Sequence, residues 1–590
     1  LPKQNRNNIK MKGLKFMKKI SIILIALILL SVFISSSLSI YGDKVTEYDY
    51  SSMEAEEVAD ILLSLDKDDL ITEVRNAFIE AEEAGCPYSS RLIPFASVLF
   101  ERINEYPEGY LLDMIMDTEE PECFADNLLS CYSSNYRNRT EDGNNKVKAI
   151  INNNKYNDSF RQRAIISVDF NAENTEDIIF LKEIFKDNDD IVAFQALKTL
   201  SLLDFSEAVV LADEIIYNYE TASPDKLNIA MSVESKYFEN SSTYDLNKYN
   251  KFIDVCNAVI EDKNADSIVR DSAVFALADV KKAGNIVSIL ENDDIDDVLK
   301  TYAINENSEI LLNMLKEDEA YFDLACYAMT LCPIEEFKEP LKKIAMKNDQ
   351  YSTMKFRTIM NDIDNEVKVE AQTKAYAEGK LTEAEMSELM EESSALPKIN
   401  YDTGIEIQCV GGGESTTTSY WGYTAYNNNV KISSNWKEWH AALIVSDEGD
   451  LIQHRGKDGV HVTKDDWSSI GEIVGIYRPR TPMTTKQRSL VVATANKLVL
   501  LKIPYISGLI PAYPIVYDGN GNGVKYEPED IKEIRCDGVV EFCYEYNGIK
   551  IYGEDNLWNI TNPNELLGHL TMLPSGQASS MTLVRTTTPY

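Results

Sequence analysis

Apolar residues recur at steps of three and four through most of the chain from Tyr41 to Met346, with few glycines or prolines between them. That period predicts helix after helix. A loose unit returns within the stretch: DSFRQRAIISV from Asp158, DDIVAFQALKTL from Asp189, DSIVRDSAVFAL from Asp266, DDVLKTYAI from Asp296 and EAYFDLACYAM from Glu319. Each opens on an acidic residue suited to a helix start and continues as an apolar stripe carrying alanine. A second helix follows, as in AGNIVSILEN or EILLNMLKED. From 347 to 400 the pattern becomes strongly charged, and AEGKLTEAEMSELMEESSALPKI reads as an exposed helix ended by a proline, which predicts a linker. After Tyr401, glycine, threonine, tryptophan and β-branched residues increase, and alternating runs such as HAALIV, GVHV and EIVGIYR predict strands.

The chain therefore divides into a helical region over 40–157, a repeating one over 158–346, a charged helical linker over 347–400 and an α+β domain over 401–590. The starts of the repeating unit fall at intervals of roughly 30 residues or a multiple of that, and the segment resembles HEAT-like repeats. In these, paired helices stack into an α-solenoid because no pair buries its apolar face alone. An irregular helical bundle would share the periodicity. On either reading the helical half offers a surface, expected to bind a protein partner or substrate, and little chemistry. All four histidines, His440, His454, His461 and His569, lie beyond it.

Charge and composition narrow the partners. Acidic residues outnumber basic ones 96 to 58, a formal net charge of −38, which repels a phosphate backbone and argues against nucleic acid. Near the start, Met17-Lys18-Lys19 precedes an apolar run from Ile20 to Ile34 and small residues at Ser37 and Ser39, the pattern of a secretory signal. Residues 1–39 are read as that signal with an upstream extension. The run is shorter than the ~20 residues of a spanning helix, so no stable membrane span is expected once the signal is cleaved. Uncleaved, it would anchor the protein. The expected location is secreted or cell-surface. Nine cysteines are scattered and odd in number, and those in FIDVCNAVI and FDLACYAMT sit on apolar helical faces as small core residues.

Chemistry concentrates in the last third. In IRCDGVVEFCYE, residues 534–545, Cys536, Val539, Val540, Cys543 and Tyr544 share one helical face. The two cysteines, about 10 Å apart along a helix, are too far apart for a disulfide. Cys536 at the helix N-terminus gains from the dipole and from a neighbouring imidazolium, both of which favour the thiolate, whereas Cys543 lies two turns deeper and reads as core. In HAALIVSDEGDLIQH, two strands flank the turn Asp447-Glu448-Gly449, so His440 opening one strand can meet Gln453 or His454 closing the next, as base and orienter. Strand alternation lets only one of those two face the site.

RCDGVVEFCYE resembles the cysteine helix of the NlpC-type papain-like peptidases and amidases, and WHAALIV resembles their histidine strand. His440 precedes Cys536 by 96 residues, the reverse of the common order. That order resembles the circularly permuted, YiiX-like branch, related to lecithin retinol acyltransferases. GVHVTKDDW, IVGIYRPR, TTKQRSLVVATANKL and KIPY support the likeness, which covers about Asn435 to Ile551. The resemblance implies a papain-like α+β fold and a thiol hydrolase of amide bonds in cell-wall peptides or N-acyl amides. Cys536 would be the nucleophile, His440 the base, and Gln453, by its LIQ context, or His454 the third residue. An acyltransferase would use the same pair, and a non-catalytic extracellular binding protein is the competing class.

Just before the cysteine helix, DGNGNGVKYEPE over 518–529 fits the spacing of an EF-hand-like calcium loop. Its ligands would be Asp518, Asn520, Asn522, the Val524 carbonyl, Tyr526 by its carbonyl or a water, and a bidentate Glu529. Two carboxylates imply weak Ca2+ binding suited to the extracellular range. A glycine- and asparagine-rich turn without metal is the plain alternative.

Overall fold

The computed structural model describes residues 50, 53, 55–83, 92–117, 119–241, 243–377, 380–382, 385, 398–399, 406–407, 422–431, 437–446, 448–454, 461–470, 473–480, 483–504, 515–517, 523–525, 527–549, 551 and 574–586. The signal-like run from Ile20 to Ile34 lies outside them, as does His569. No described helix is long and apolar enough to cross a membrane.

Helices dominate the N-terminal half, and their starts form where the sequence places short polar residues. Asp190, Asp266 and Asp296 each accept the backbone N–H two residues on, from Val192, Ile268 and Val298, at 2.7–2.8 Å. Asn157 accepts the N–H three residues on, from Phe160, at 2.8 Å. Such caps satisfy donors that no helical carbonyl reaches. The helices alternate between two rows. One row runs Glu122–Asn135 (α1), Asp158–Ser167 (α2), Ile191–Leu203 (α3), Pro224–Asn240 (α4), Ser267–Asp279 (α5), Asp297–Glu306 (α6), Phe322–Leu331 (α7) and Met354–Ala377 (α8), each packed on the next. The intervening helices, such as Thr175–Asp187 and Leu246–Glu261, cover the other side. The last helix of the row corrects one boundary. Residues 354–377, expected as linker, pack onto α7 with Phe356, Ile359 and Ile363 buried, because their apolar spacing continues the stripe of the repeats.

The C-terminal part is a six-stranded antiparallel sheet with helices. Its strands are Thr424–Lys431 (β1), Lys437–Ile444 (β2), Leu451–Gln453 (β3), Thr463–Asp465 (β4), Gly475–Arg478 (β5) and Thr582–Arg585 (β6), in the order β6-β5-β1-β2-β3-β4. One face, with Ala441, Leu443 and Ile452, packs against Thr485–Leu500 (α9), Cys536–Tyr546 (α10) and Pro574–Ser579 (α11). The other, with Ala425, Ala442, Ile444 and Leu451, is covered by Ile470 and Ile473.

The helical part and the sheet part belong to one compact unit, Glu54–Tyr590. The row α1–α8 grips the sheet part along α9 and the segment after it. Gln162 Nε2 donates to Lys502 O at 3.0 Å and Asn228 Nδ2 to Leu500 O at 2.9 Å. Lys502 pairs with Asp225, and Lys497 meets Asp279 at 3.5 Å and Tyr302 at 3.2 Å. Ile268 and Val298 add apolar contact to the core on that side. Side chains of α2 and α4–α6 thus bind α9 and the segment after it.

Candidate functional site

β2 begins earlier than expected. His440 sits in mid-strand opposite Asn427, and the hairpin with β3 pairs Leu443 with Ile452 and Ile444 with Leu451. β3 ends at Gln453, so His440 extends past the last of these pairs and its ring reaches diagonally. His440 Nε2 lies 2.9 Å from Gln453 Oε1, both residues being buried.

The rest of the network fixes the protons. Gln453 Nε2 donates to Asp465 Oδ2 at 2.8 Å and to Ser469 Oγ at 2.7 Å. A carboxylate only accepts, so the amide must present NH2 to Asp465 and its oxygen to the ring. Oε1 then accepts a hydrogen bond from His440 Nε2–H, and in the neutral ring Nδ1 carries the lone pair. Asp465 is itself steadied by Thr463 Oγ1 at 2.8 Å, and Ser469 donates to Asp466 O at 2.7 Å. Carboxylate, amide and imidazole thus form a chain that orients one basic nitrogen.

His454 faces the other way, as alternation requires. It is almost fully buried, and burial, reinforced by His461 and Arg163, pushes its imidazole well below the usual range, so it stays neutral. His461 bridges Pro504 through the backbone, and burial with Lys502 nearby lowers it to about 4. Of the two candidates for orienter, Gln453 is the one that meets His440.

Cys536 is the first residue of α10, and its side chain is buried with 2% exposed. Arg535 immediately before it clamps Asp537 immediately after it, through Nε at 3.0 Å and Nη2 at 2.7 Å, while Gln577 Nε2 donates to Asp537 O at 3.0 Å. Cys543 lies fully buried among Val539, Val540 and Phe542, and burial raises its thiol far above the usual range. No disulfide joins cysteines among the described residues.

The start of α10 and the His440–Gln453 pair lie at the same end of the sheet. Ile534 N–H donates to Pro504 O at 3.0 Å, Pro504 bridges His461, and two residues on Thr463 pairs with Gln453. They differ in face. His440 alternates with Ala442 and Ile444, whereas the apolar side of α10 packs on the face of Ala441 and Leu443. The start of α10 and the imidazole thus share one end of the sheet and belong to opposite faces of it.

The calcium-loop expectation falls on a hairpin. Ile515–Tyr517 pairs antiparallel with Gly523–Lys525, Val516 opposite Val524, so 518–522 is the connection between two strands and not a loop between helices. Asp518, Asn520, Asn522 and Tyr526 lie outside the described residues. Glu529, in a single 3-10 turn Pro528–Asp530, has Oε1 at 3.0 Å from Lys497 Nζ. Burial alone would raise this carboxyl, but Lys497 and backbone donors outweigh it and hold it low. A carboxylate committed to an ammonium does not fit a bidentate ligand, and no step below runs through a metal.

Sequence reasoning missed Asp465 and Ser469, whose signal was present in TKDDWSS directly after the His461 strand. It missed the Arg535–Asp537 clamp, legible as RCD. The contact of Arg163 with Glu533, 370 residues apart, had no local signal. Comparison with known proteins finds no family that matches the chain and no curated protein similar to it.

Proposed function

We propose that the protein is a cysteine hydrolase of amide bonds with a papain-like, permuted NlpC-type domain, acting on cell-wall peptides or N-acyl amides at the cell surface or outside it. The observation that carries this reading is the Asp465–Gln453–His440 chain, which spends Nε2 on the orienter and leaves Nδ1 as the ring's base. A buried carboxylate-backed amide on an imidazole serves little structural purpose that an apolar pair would not serve better. Cys536 at a helix start is the matching nucleophile.

In the reaction Cys536 gives its proton to Nδ1 and attacks the carbonyl. The backbone N–H of Cys536 helps hold the oxyanion. Nδ1 returns the proton to the leaving amine, and water then releases the acyl group by the same route in reverse. The helical row serves as the mount of this domain.

The burial of Cys536 and the opposite-face placement of His440 favour one second reading, an extracellular binding protein that retains the fold without turnover. Alkylation separates the two. A hydrolase requires Cys536 to react with iodoacetamide near neutral pH much faster than Cys543, and Cys536→Ser to abolish release of products from cell-wall fragments while the melting temperature stays within a few degrees. An inert Cys536 in the folded chain would overturn the hydrolase reading.

A further inference from the structure

The largest fully buried side chain among the described residues is an arginine of the helical half, and it reaches the segment that leads into the cysteine helix. Arg163 on α2 is 1% exposed and forms ion pairs with Asp126 of α1 and with Glu533, which stands three residues before Cys536. Ser130 of α1 donates to Glu533 Oε2 at 2.5 Å and lies 3.4 Å from Arg163 Nη1. Asp126, Ser130 and Glu533 are each no more than 5% exposed. Two carboxyl groups therefore share one guanidinium in a region that water does not reach, and burial raises that of Asp126 to about 7 although Arg163 opposes this, which leaves the guanidinium chiefly to Glu533. The segment between Glu533 and Cys536 is short and pinned, because Ile534 is buried and its N–H is held by Pro504. A displacement of Glu533 is passed to the first turn of α10 with little slack.

The arrangement has an electrostatic side as well. An unneutralised Glu533 would set a negative charge close to Cys536 and oppose its thiolate. Among the described residues, the other charged groups on that segment and the start of α10 are the exposed Lys532, the Arg535–Asp537 pair, which is internally balanced, and Glu541, whose carboxyl burial holds well above the usual range. His454, close to Arg163, is neutral. Arg163 is thus the cation that offsets Glu533, and it is supplied by the helical row, not by the sheet part.

We propose that Arg163 is a positioning residue for Cys536: by holding and neutralising Glu533 from the helical row, it sets the place and the charge environment of the thiol. This rests on the reading of Cys536 as the nucleophile. Arg163 touches no reacting atom, so it is not itself catalytic. The helical half is then a working part of the site, and its removal would disarm the thiol as well as weaken the fold.

The test is the pH profile of Cys536 alkylation by iodoacetamide in the full chain, read per folded molecule by peptide mass spectrometry. Arg163→Met should slow alkylation near neutral pH about tenfold or more and move the profile to higher pH, because Glu533 is left unbalanced. Arg163→Lys keeps the charge and should recover part of the rate. Arg163→Met combined with Glu533→Gln removes both charges and should return the profile close to wild type. Glu533→Gln alone, which leaves Arg163 with Asp126, should leave the rate unchanged or raise it, and carries the test if Arg163→Met does not fold. Lys502→Met, which breaks the ion pair with Asp225 elsewhere on the same interface, should lower the melting temperature and leave the profile in place. A wild-type profile in folded Arg163→Met, a slowed Glu533→Gln, or an equal shift in Lys502→Met would overturn the inference. A wild-type Cys536 no faster than Cys543 would instead overturn the nucleophile assignment.

Discussion

Replacing Gln453 with alanine tests the base. The change removes the acceptor of His440 Nε2 and the donor to Asp465 and Ser469 at a fully buried position. A hydrogen bond to a charged group is worth about 1.5–3 kcal/mol. On the proposed hydrolase reading, an imidazolium paired with a Cys536 thiolate loses that support, so the ion pair should fall about 10- to 100-fold in population, and alkylation of Cys536 near neutral pH with it. Stability should fall only moderately. Asp465 keeps Thr463, and Ser469 keeps its bond to Asp466 O, so neither is stranded, and a loss of roughly 2–4 kcal/mol is expected from the cavity and the broken bonds. His454→Ala is the matched control, because it empties an equally buried position on the opposite face. It should cost comparable stability and leave the alkylation rate per folded molecule unchanged. Both variants are measured below their melting temperatures by mass spectrometry of the Cys536 peptide. A slow His454→Ala beside a wild-type-like Gln453→Ala would refute the orientation of the base.

Glu366 on α8 accepts from Thr484 Oγ1 at 2.9 Å where the helical row meets α9, and burial raises its carboxyl to about 7 although Lys486 opposes this. A raised carboxyl penalises the folded state once the unfolded chain ionises more readily, so the penalty is absent below about pH 4.5, accrues as pH rises from there to about 7, and is complete above it. Glu366→Gln should therefore match wild type near pH 4.5 and be more stable by on the order of 2–3 kcal/mol near pH 8. Urea unfolding at the two pH values measures this, and equal gains at both would refute it. With Glu529 on Lys497, melting curves in millimolar calcium and in chelator should coincide. A rise with calcium that Glu529→Ala abolishes would mean that the 518–529 loop takes the carboxylate from Lys497. Lys497→Met, which leaves Glu529 without its ammonium and Asp279 with Tyr302 alone, should cost about 1.5–3 kcal/mol in the same thermal assay.

The helical half was legible because its signals are local. A period near 3.6 and aspartate caps such as Asp190 and Asp266 act within a few residues, so chain order alone carries them. The same holds for the hairpin that brings His440 to Gln453, since a short turn leaves two strands little freedom of register, and for Cys536 at the start of a helix with Cys543 in its core. Other features depend on residues distant in sequence. Alternation allowed either Gln453 or His454 to face the imidazole, and the choice was made by Asp465 and Ser469 from the next elements. The linker expected at 354–377 proved to be a packed helix, because charged residues can lie on one face while Phe356, Ile359 and Ile363 fill the other. The joining of the helical row to the sheet part, with Arg163 paired to Glu533, was set by tertiary packing and the polar contacts it encloses. An arginine in a helix and a glutamate before a cysteine look like solvated charges in sequence, and only packing that excludes water from both makes them partners.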